Sequence, residues 1–222
     1  MNVKLLSYSQ PADEFRQHGL ENAQELIAYC ARVSNPSNQF NTETSEKLIR
    51  YLVKHQHWSP LEMVSACLEI ETTRDIARQI LRHRSFSFQE FSQRYADPTK
   101  DLSFVLREAR LQDPKNRQNS VETDDERLQR EWELRQNNVI TEAKMAYEWA
   151  ISKGIAKEQA RAVLPEGLIE SRLYMNGTLR SWVHFIELRS GNGTQKEHQL
   201  VALACAKAIA AIFPMTESLI QK

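Results

Sequence analysis

Apolar and polar positions follow two different periods along this chain, and the switches between them mark its elements. Residues 3 to 8 carry a short strand pattern. Leu20, Ala23, Ile27 and Ala31 recur at helical spacing and predict a helix over 20–31, followed by a turn at Asn35-Pro36. Leu48, Tyr51 and Leu52 mark the inward face of a second helix, from about Ser45 to His55, which ends at Ser59-Pro60. Val64, Ala66, Leu68 and Ile70 then alternate with polar or small residues, as in a half-buried strand. Thr72 and Asp75 form a capping-box pattern that opens a helix running through Arg84. Phe86 and Phe88 return to a period of two.

Residues 97–123 are polar and irregular, and predict a mobile loop or lid. A long helix follows from about Asp124 to Lys153, with Leu128, Trp132, Val139, Ala143, Ala146 and Ala150 on one stripe and Gly154 as its stop. A short helix over Lys157 to Val163 ends at Leu164-Pro165. A strand spans Ile169 to Met175, and a helix runs from Thr178 to Ser190. Thr194 with Glu197 caps a last helix to about Phe213. The order of elements is mixed, without regular βαβ alternation, so the fold class is α+β.

The length, 222 residues, suits a single domain over 1–222, and a hydrophobic fraction of 41% allows a real core. Basic and acidic residues balance at 29 each, which disfavours a general nucleic-acid binder. Cys30, Cys67 and Cys205 lie far apart in apolar stretches and read as core residues in a reducing compartment. The start MNVKLLSYSQ has no signal-peptide run, and no stretch is long enough for a membrane span, so a soluble cytoplasmic protein is the expectation.

The chemistry concentrates in residues 82–95, RHRSFSFQEFSQRY. Arg82, Arg84 and Arg94 repel one another unless anions sit among them. Arginine's planar fork matches phosphate oxygens in two-point contacts. Gln79, Arg82 and His83 lie three or four apart on one predicted helix face, and Glu90, Ser92 and Arg94 on one side of the extended stretch beyond it. The two groups can converge on one ligand; the competing reading is a solvated basic helix end. On the 178–190 helix, Arg180 and His184 face one way and Arg189 the other. Spacing alone favours a helix-end partner for Arg189 and a core histidine for His184. His55, His57 and Glu62 lack a matched ligand set at metal spacing, so no metal is expected. No glycine-rich phosphate loop and no nucleophile elbow occur.

Residues 82–95 resemble the Arg-His-Arg-x7-Ser signature of the flavin-dependent thymidylate synthases, with Ser87, Glu90, Ser92, Arg94 and Tyr95 also matching. CARVS (30–34), HWSP (57–60), ARQILRHR (77–84), ARAVLP (160–165) and HFIELR (184–189) resemble further blocks of that family, in its order. The resemblance implies a thymidylate synthase-complementing fold, with helices around an antiparallel or mixed sheet, a homotetramer and active sites between subunits. It implies FAD, NADPH as reductant, 5,10-methylenetetrahydrofolate as carbon donor and dUMP as substrate, with no nucleic-acid or membrane partner. Carried over by position, Gln79, Arg82, Glu90, Phe91, Ser92, Gln93, Arg94, Arg161 and Arg189 are implied to bind dUMP. Ser34, Ser59, Arg82, His83, Arg84, Glu90, Thr178, Arg180 and His184 are implied to hold FAD. His57 is implied near flavin and folate, and Arg189 is implied to be the catalytic arginine that activates the uracil ring.

Overall fold

The computed structural model describes residues 1–219. Its centre is a four-stranded antiparallel sheet in the order β1 (Asn2–Tyr8), β2 (Ser65–Thr73), β6 (Glu170–Thr178), β3 (Ser87–Glu90). A separate hairpin pairs β4 (Arg110–Gln112) with β5 (Ser120–Glu122). The helices are α1 (Asp13–Gln17), α2 (Ala23–Ala31), α3 (Ser45–Lys54), α4 (Arg74–Ile80), α5 (Pro98–Asp101), α6 (Glu126–Ser152), α7 (Lys157–Ala160), α8 (Leu179–Ser190) and α9 (Lys196–Ala210). None of the helices among the described residues is long and apolar enough to cross a membrane.

The alternation in β2 and β6 sets the two faces of the sheet. Ala66, Leu68 and Ile70 of β2 and Leu173 and Met175 of β6 are buried in a core with α4, α8 and α9. Each large side chain sealed there contributes on the order of 1.5–3 kcal/mol. The opposite face is polar and carries ion pairs such as Arg172 with Glu71 at 2.8 Å and Lys4 with Glu69 at 3.5 Å. Trp182 of α8 is fully buried, and its indole N–H donates to the Ala66 carbonyl at 3.0 Å. That bond ties the helix to the sheet with no orphaned polar atom.

Several elements depart from the pattern reading, each for a tertiary reason. The helix predicted through Arg84 stops at Ile80, so Arg82, His83 and Arg84 occupy a turn. The chain must turn there to bring Phe86 against Trp182, at a ring separation of 4.8 Å, and to start the β3 ladder on β6. The N-cap of α4 is Thr73, not Thr72, and no side chain caps it. Its free N–H groups are met by backbone instead: Arg74 N–H donates to the Ile169 carbonyl and Asp75 N–H to the Glu166 carbonyl. Likewise α9 opens at Gln195 without the Thr194–Glu197 box, because Glu197 turns to Arg107 and Arg110. In α3 the inward residues are Ser45, Ile49 and Leu52, while Tyr51 is exposed and stacks near His55. In α6 the buried row is Gln136, Ile140, Ala143, Tyr147 and Ala150; Trp132, Val139 and Ala146 of the predicted stripe are exposed. Of the three cysteines only Cys205 is buried.

The 97–123 segment is more ordered than its composition suggests. It contains α5, β4 and β5, and Phe104 bridges to Ile169. Two glutamines of α6 hold its backbone as a neighbouring strand would. Gln136 accepts from Arg107 N–H and donates to the Arg107 carbonyl; Gln129 does the same for Ala109. Amide side chains suit this role because each carries both a donor and an acceptor.

Gly177 packs face-on against Phe86, and a Cβ built there would lie 2.4 Å from the ring. Gly177→Ala is therefore expected to destabilise the protein by about 1–3 kcal/mol through overpacking. A thermal unfolding midpoint equal to that of the parent would show that Phe86 yields without penalty.

Candidate active site

Three groups of predicted site residues form, each built by different elements. The first surrounds the 81–86 turn. Arg189, at the end of α8, donates from Nε to His83 Nε2 at 2.9 Å. His83 packs edge-on against Phe185, with ring centroids 5.0 Å apart. Gln79, in the last turn of α4, lies beside it with its side chain bonded to Gln195 and His198. Arg82 and Arg84 flank His83 and are exposed, while His83 turns inward. The turn therefore separates the signature by side: cations face solvent, imidazole faces the helix. It is held by Ser181, whose hydroxyl donates to the Ser85 carbonyl.

The electrostatics of this group are unusual. Burial, then the charges of Arg189 and Arg82, hold His83 down to about 4. Burial, then Arg189, His83 and Arg82, hold His198 down to about 3. Both imidazoles are thus neutral near pH 7. Burial and the nearby Arg82 charge also lower Arg189. Among the described residues, Arg74, Arg78, Arg94, Arg107, Arg110, Arg172 and Arg180 all pair with carboxylates. Of the site arginines, Arg82, Arg84, Arg161 and Arg189 have no carboxylate within ion-pair distance among the described residues, as is also true of Arg32, Arg117 and Arg135 elsewhere. Guanidiniums left together without a counter-charge favour an anionic ligand.

The second group lies beyond β3. The Glu90 carboxylate accepts from the Ser171 hydroxyl at 2.7 Å and sits 3.4 Å from Arg74. Phe91 N–H donates to the Arg172 carbonyl, and residues 92–96 form a turn on the Ser92 carbonyl. Arg94 lies 3.6 Å from Glu158 and leans over the Tyr95 ring. Lys157 donates to the Tyr95 carbonyl at 2.9 Å, which joins α7 to this turn and places Arg161 just beyond it. Gln93 is buried, and its amide nitrogen has no partner. The helix-to-strand switch expected from the spacing is here a turn, a short strand and a second turn.

The third group faces away from Arg189. Arg180 pairs with Glu62, and His184 packs on Trp58 with ring centroids 4.5 Å apart. Ser59 begins the 3₁₀ turn 59–63, which packs on α8. The Thr178 hydroxyl caps α8 by accepting from Ser181 N–H. Arg180 and Arg189 therefore work on opposite sides of one helix, as their spacing indicates, and His184 is exposed, not a core histidine. Exposed His57 lies near Tyr51, at a ring separation of 6.1 Å. Ser34 lines a cavity of about 530 Å³ with Arg32, Thr44 and Tyr51. Glu62 is taken by Arg180, and no group of three metal-binding side chains exists among the described residues.

Sequence spacing missed His198 and Gln195. His198 lies in α9 and Gln195 is its N-cap, far along the chain, and only the packing of α4 on α9 brings them to Gln79.

The neutral histidines generate a pH dependence. The folded values lie below the ordinary 6.5, so the folded chain binds fewer protons than the unfolded chain between the two. Their contribution to stability is complete above about 6.5 and is lost as pH falls toward 4 and 3. Denaturant unfolding from pH 7 to pH 5 should show falling stability, and His198→Asn, which cannot titrate, should fall less steeply. Parallel slopes for the two proteins would disprove a buried neutral His198.

The thymidylate synthase complementing protein family model matches residues 17–215. The chain is 47% identical over 214 residues to a probable flavin-dependent thymidylate synthase of Paramecium bursaria Chlorella virus 1, covering 96% of each. It is equally identical, with the same coverage, to the flavin-dependent thymidylate synthase of Synechocystis sp.. The crystal structure of a UMP/dUMP methylase from Streptomyces cacaoi, bound with 5-Br dUMP, superposes with a TM-score of 0.80 at 25% identity, covering 98% of this chain and 93% of that one. With the signature arginines gathered on this antiparallel fold, the chain belongs to the thymidylate synthase complementing proteins, the family of the flavin-dependent thymidylate synthases.

Proposed function

We propose that this protein is a single-domain cytoplasmic enzyme that methylates dUMP to dTMP, using FAD, NADPH and 5,10-methylenetetrahydrofolate. The observation that carries this reading is that four arginines of the candidate site, Arg82, Arg84, Arg161 and Arg189, have no carboxylate partner, in a chain whose relatives are named for this reaction. A nucleotide phosphate carries nearly two negative charges, and a flavin pyrophosphate about as many. Arg82, Arg84 and Arg161 offset them, with Arg94 joining once it exchanges Glu158 for phosphate. Gln79, Glu90, Phe91, Ser92 and Gln93 complete the nucleotide site, where buried Gln93 has an amide nitrogen available.

The flavin site draws on Arg82, His83, Arg84 and Glu90, and on the far-side group Ser34, Ser59, Thr178, Arg180 and His184, with His57 near flavin and folate. These residues lie on both sides of α8, which fits a ligand shared between subunits of a homotetramer. Exposed apolar residues on α6, Trp132, Leu134, Val139, Met145 and Trp149, supply a surface for such contacts.

Arg189 is the residue for the chemical step. Its Nε is fixed by neutral His83, so the remaining N–H groups are free to meet the pyrimidine edge. A guanidinium there favours the anionic form of the ring, and each pKa unit of that preference is worth about 1.4 kcal/mol. The ring carbon would then attack the methylene carbon of the folate, whose bond to the folate nitrogen breaks and leaves the folate as the amine while the ring carbon loses its proton, with no protein nucleophile needed. That agrees with burial pushing the thiol of Cys205 far up and those of Cys30 and Cys67 up as well, away from the reactive thiolate. Flavin held by Arg82, His83, Arg84 and Glu90 would, once reduced by NADPH, supply the hydride that completes the methyl group.

Purified protein should be yellow and, with NADPH and methylenetetrahydrofolate, should convert dUMP to dTMP. Protein that neither takes up FAD nor forms dTMP would refute the assignment. Arg189→Ala should retain flavin absorbance and lose turnover about a hundredfold or more, the scale of removing a donor from a developing anion. Full turnover in that variant would remove Arg189 from the reaction.

A further inference from the structure

Gln79 ends a hydrogen-bonded chain that begins at a carboxylate, and that carboxylate dictates the direction of every amide along it. Glu197 is held by Arg107, at 3.2 Å, and by Arg110, at 2.5 Å. Burial raises its pKa, but bonds from Gln195 and the backbone together with the two arginine charges outweigh burial and keep it ionised. A carboxylate only accepts hydrogen bonds. The Gln195 nitrogen must therefore face Glu197, and does so at 2.9 Å. The Gln195 oxygen then faces Gln79, whose nitrogen donates to it at 2.8 Å. The Gln79 oxygen is turned to His198 Nδ1, at 3.2 Å. Since that oxygen can only accept, His198 carries its proton on Nδ1. His198 is fully buried and its Nε2 has no partner, so the ring cannot turn over without burying an unmet N–H.

We propose that Glu197, Gln195 and His198 are positioning residues that lock the Gln79 amide, so that its second N–H, and not its carbonyl, is presented to an acceptor oxygen of the nucleotide. The inference rests on Gln79 lining the nucleotide site. It gives the amide a role that sequence position does not: without the lock, a glutamine presents either end at similar energy. It also gives the 103–112 segment a purpose, because Arg107 and Arg110 anchor the first link.

The test is dUMP binding to the FAD-loaded enzyme, measured by titration, with bound flavin as an independent reading of site integrity. His198→Leu should weaken dUMP about five- to tenfold, the range expected for one buried hydrogen bond, while flavin content is unchanged. His198→Asn, whose amide can donate from the Nδ1 position, should restore affinity to within about twofold. In a Gln79→Met background, His198→Leu should have no further effect, because the coupling runs through Gln79. Gln195→Met, at a half-buried position, repeats the test if the His198→Leu core change does not fold. Repeating the titrations with deoxyuridine locates the acceptor: the loss persists for a uracil oxygen and disappears for a phosphate oxygen.

The relay is overturned if His198→Leu and Gln195→Met bind dUMP like the parent. It is equally overturned if the full loss persists in the Gln79→Met background. A parent enzyme that holds FAD and shows no dUMP affinity would instead refute the nucleotide-site reading itself.

Discussion

The backbone ladder of β6 organises this protein. It is hydrogen-bonded to β2 along its whole length, from Ser65 opposite Thr178 to Thr73 opposite Glu170, and to β3 on its other edge. It passes without a loop into α8, with Thr178 serving both as the last strand residue and as the helix N-cap. A strand clamped on both edges cannot shift register without moving Leu173 and Met175 out of the core. The directions of α8 and of the 81–86 turn are therefore set by the same element. Arg180, His184 and Arg189 inherit their positions from the helix, and Arg82, His83 and Arg84 from the turn.

Charge is distributed around this frame with a clear division. Arginines that support the fold are met by carboxylates: Arg74 by Glu90 and Glu166, Arg107 by Asp75 and Glu197, Arg172 by Glu71. Arg82, Arg84 and Arg189 are left without them, and His83 and His198 beside them are held neutral by burial and by those same charges. Neutral His83 can accept from Arg189, which a protonated imidazole could not do. The two features are linked: cations kept close together depress the neighbouring imidazoles, and the depressed imidazoles stabilise the cations' orientation. The protein's 29 basic and 29 acidic residues conceal this arrangement, because the balance is global and the imbalance is local.

Much of the architecture was legible from residue pattern alone. The alternation Val64, Ala66, Leu68, Ile70 gave β2 its buried face, and Gly154 gave the end of α6. The nine-residue offset between Arg180 and Arg189 placed them on opposite sides of α8, because a helix's angular period does not depend on what surrounds it. The family blocks identified the chemistry, since the signature is spread over nearly the whole chain in order.

What spacing could not give is everything settled by a partner distant in sequence. Whether α4 continued past Ile80 depended on Phe86 reaching Trp182 and β3 reaching β6, contacts that outweigh the high helix propensity of Leu81 and Arg82. The caps of α4 and α9 were decided by the 166–169 backbone and by Arg107 and Arg110. The irregular composition of 97–123 gave no hint of Gln129 and Gln136, whose amides hold that segment in place. His198 read as an ordinary helix residue until α9 packed against α4. The sequence by itself determined which residues carry charge, which faces seek a core and which family the motifs belong to, because these depend on composition and local period. The tertiary structure alone decided which arginines remain without a carboxylate and which way the Gln79 amide points, because both depend on groups more than a hundred residues apart meeting at one place.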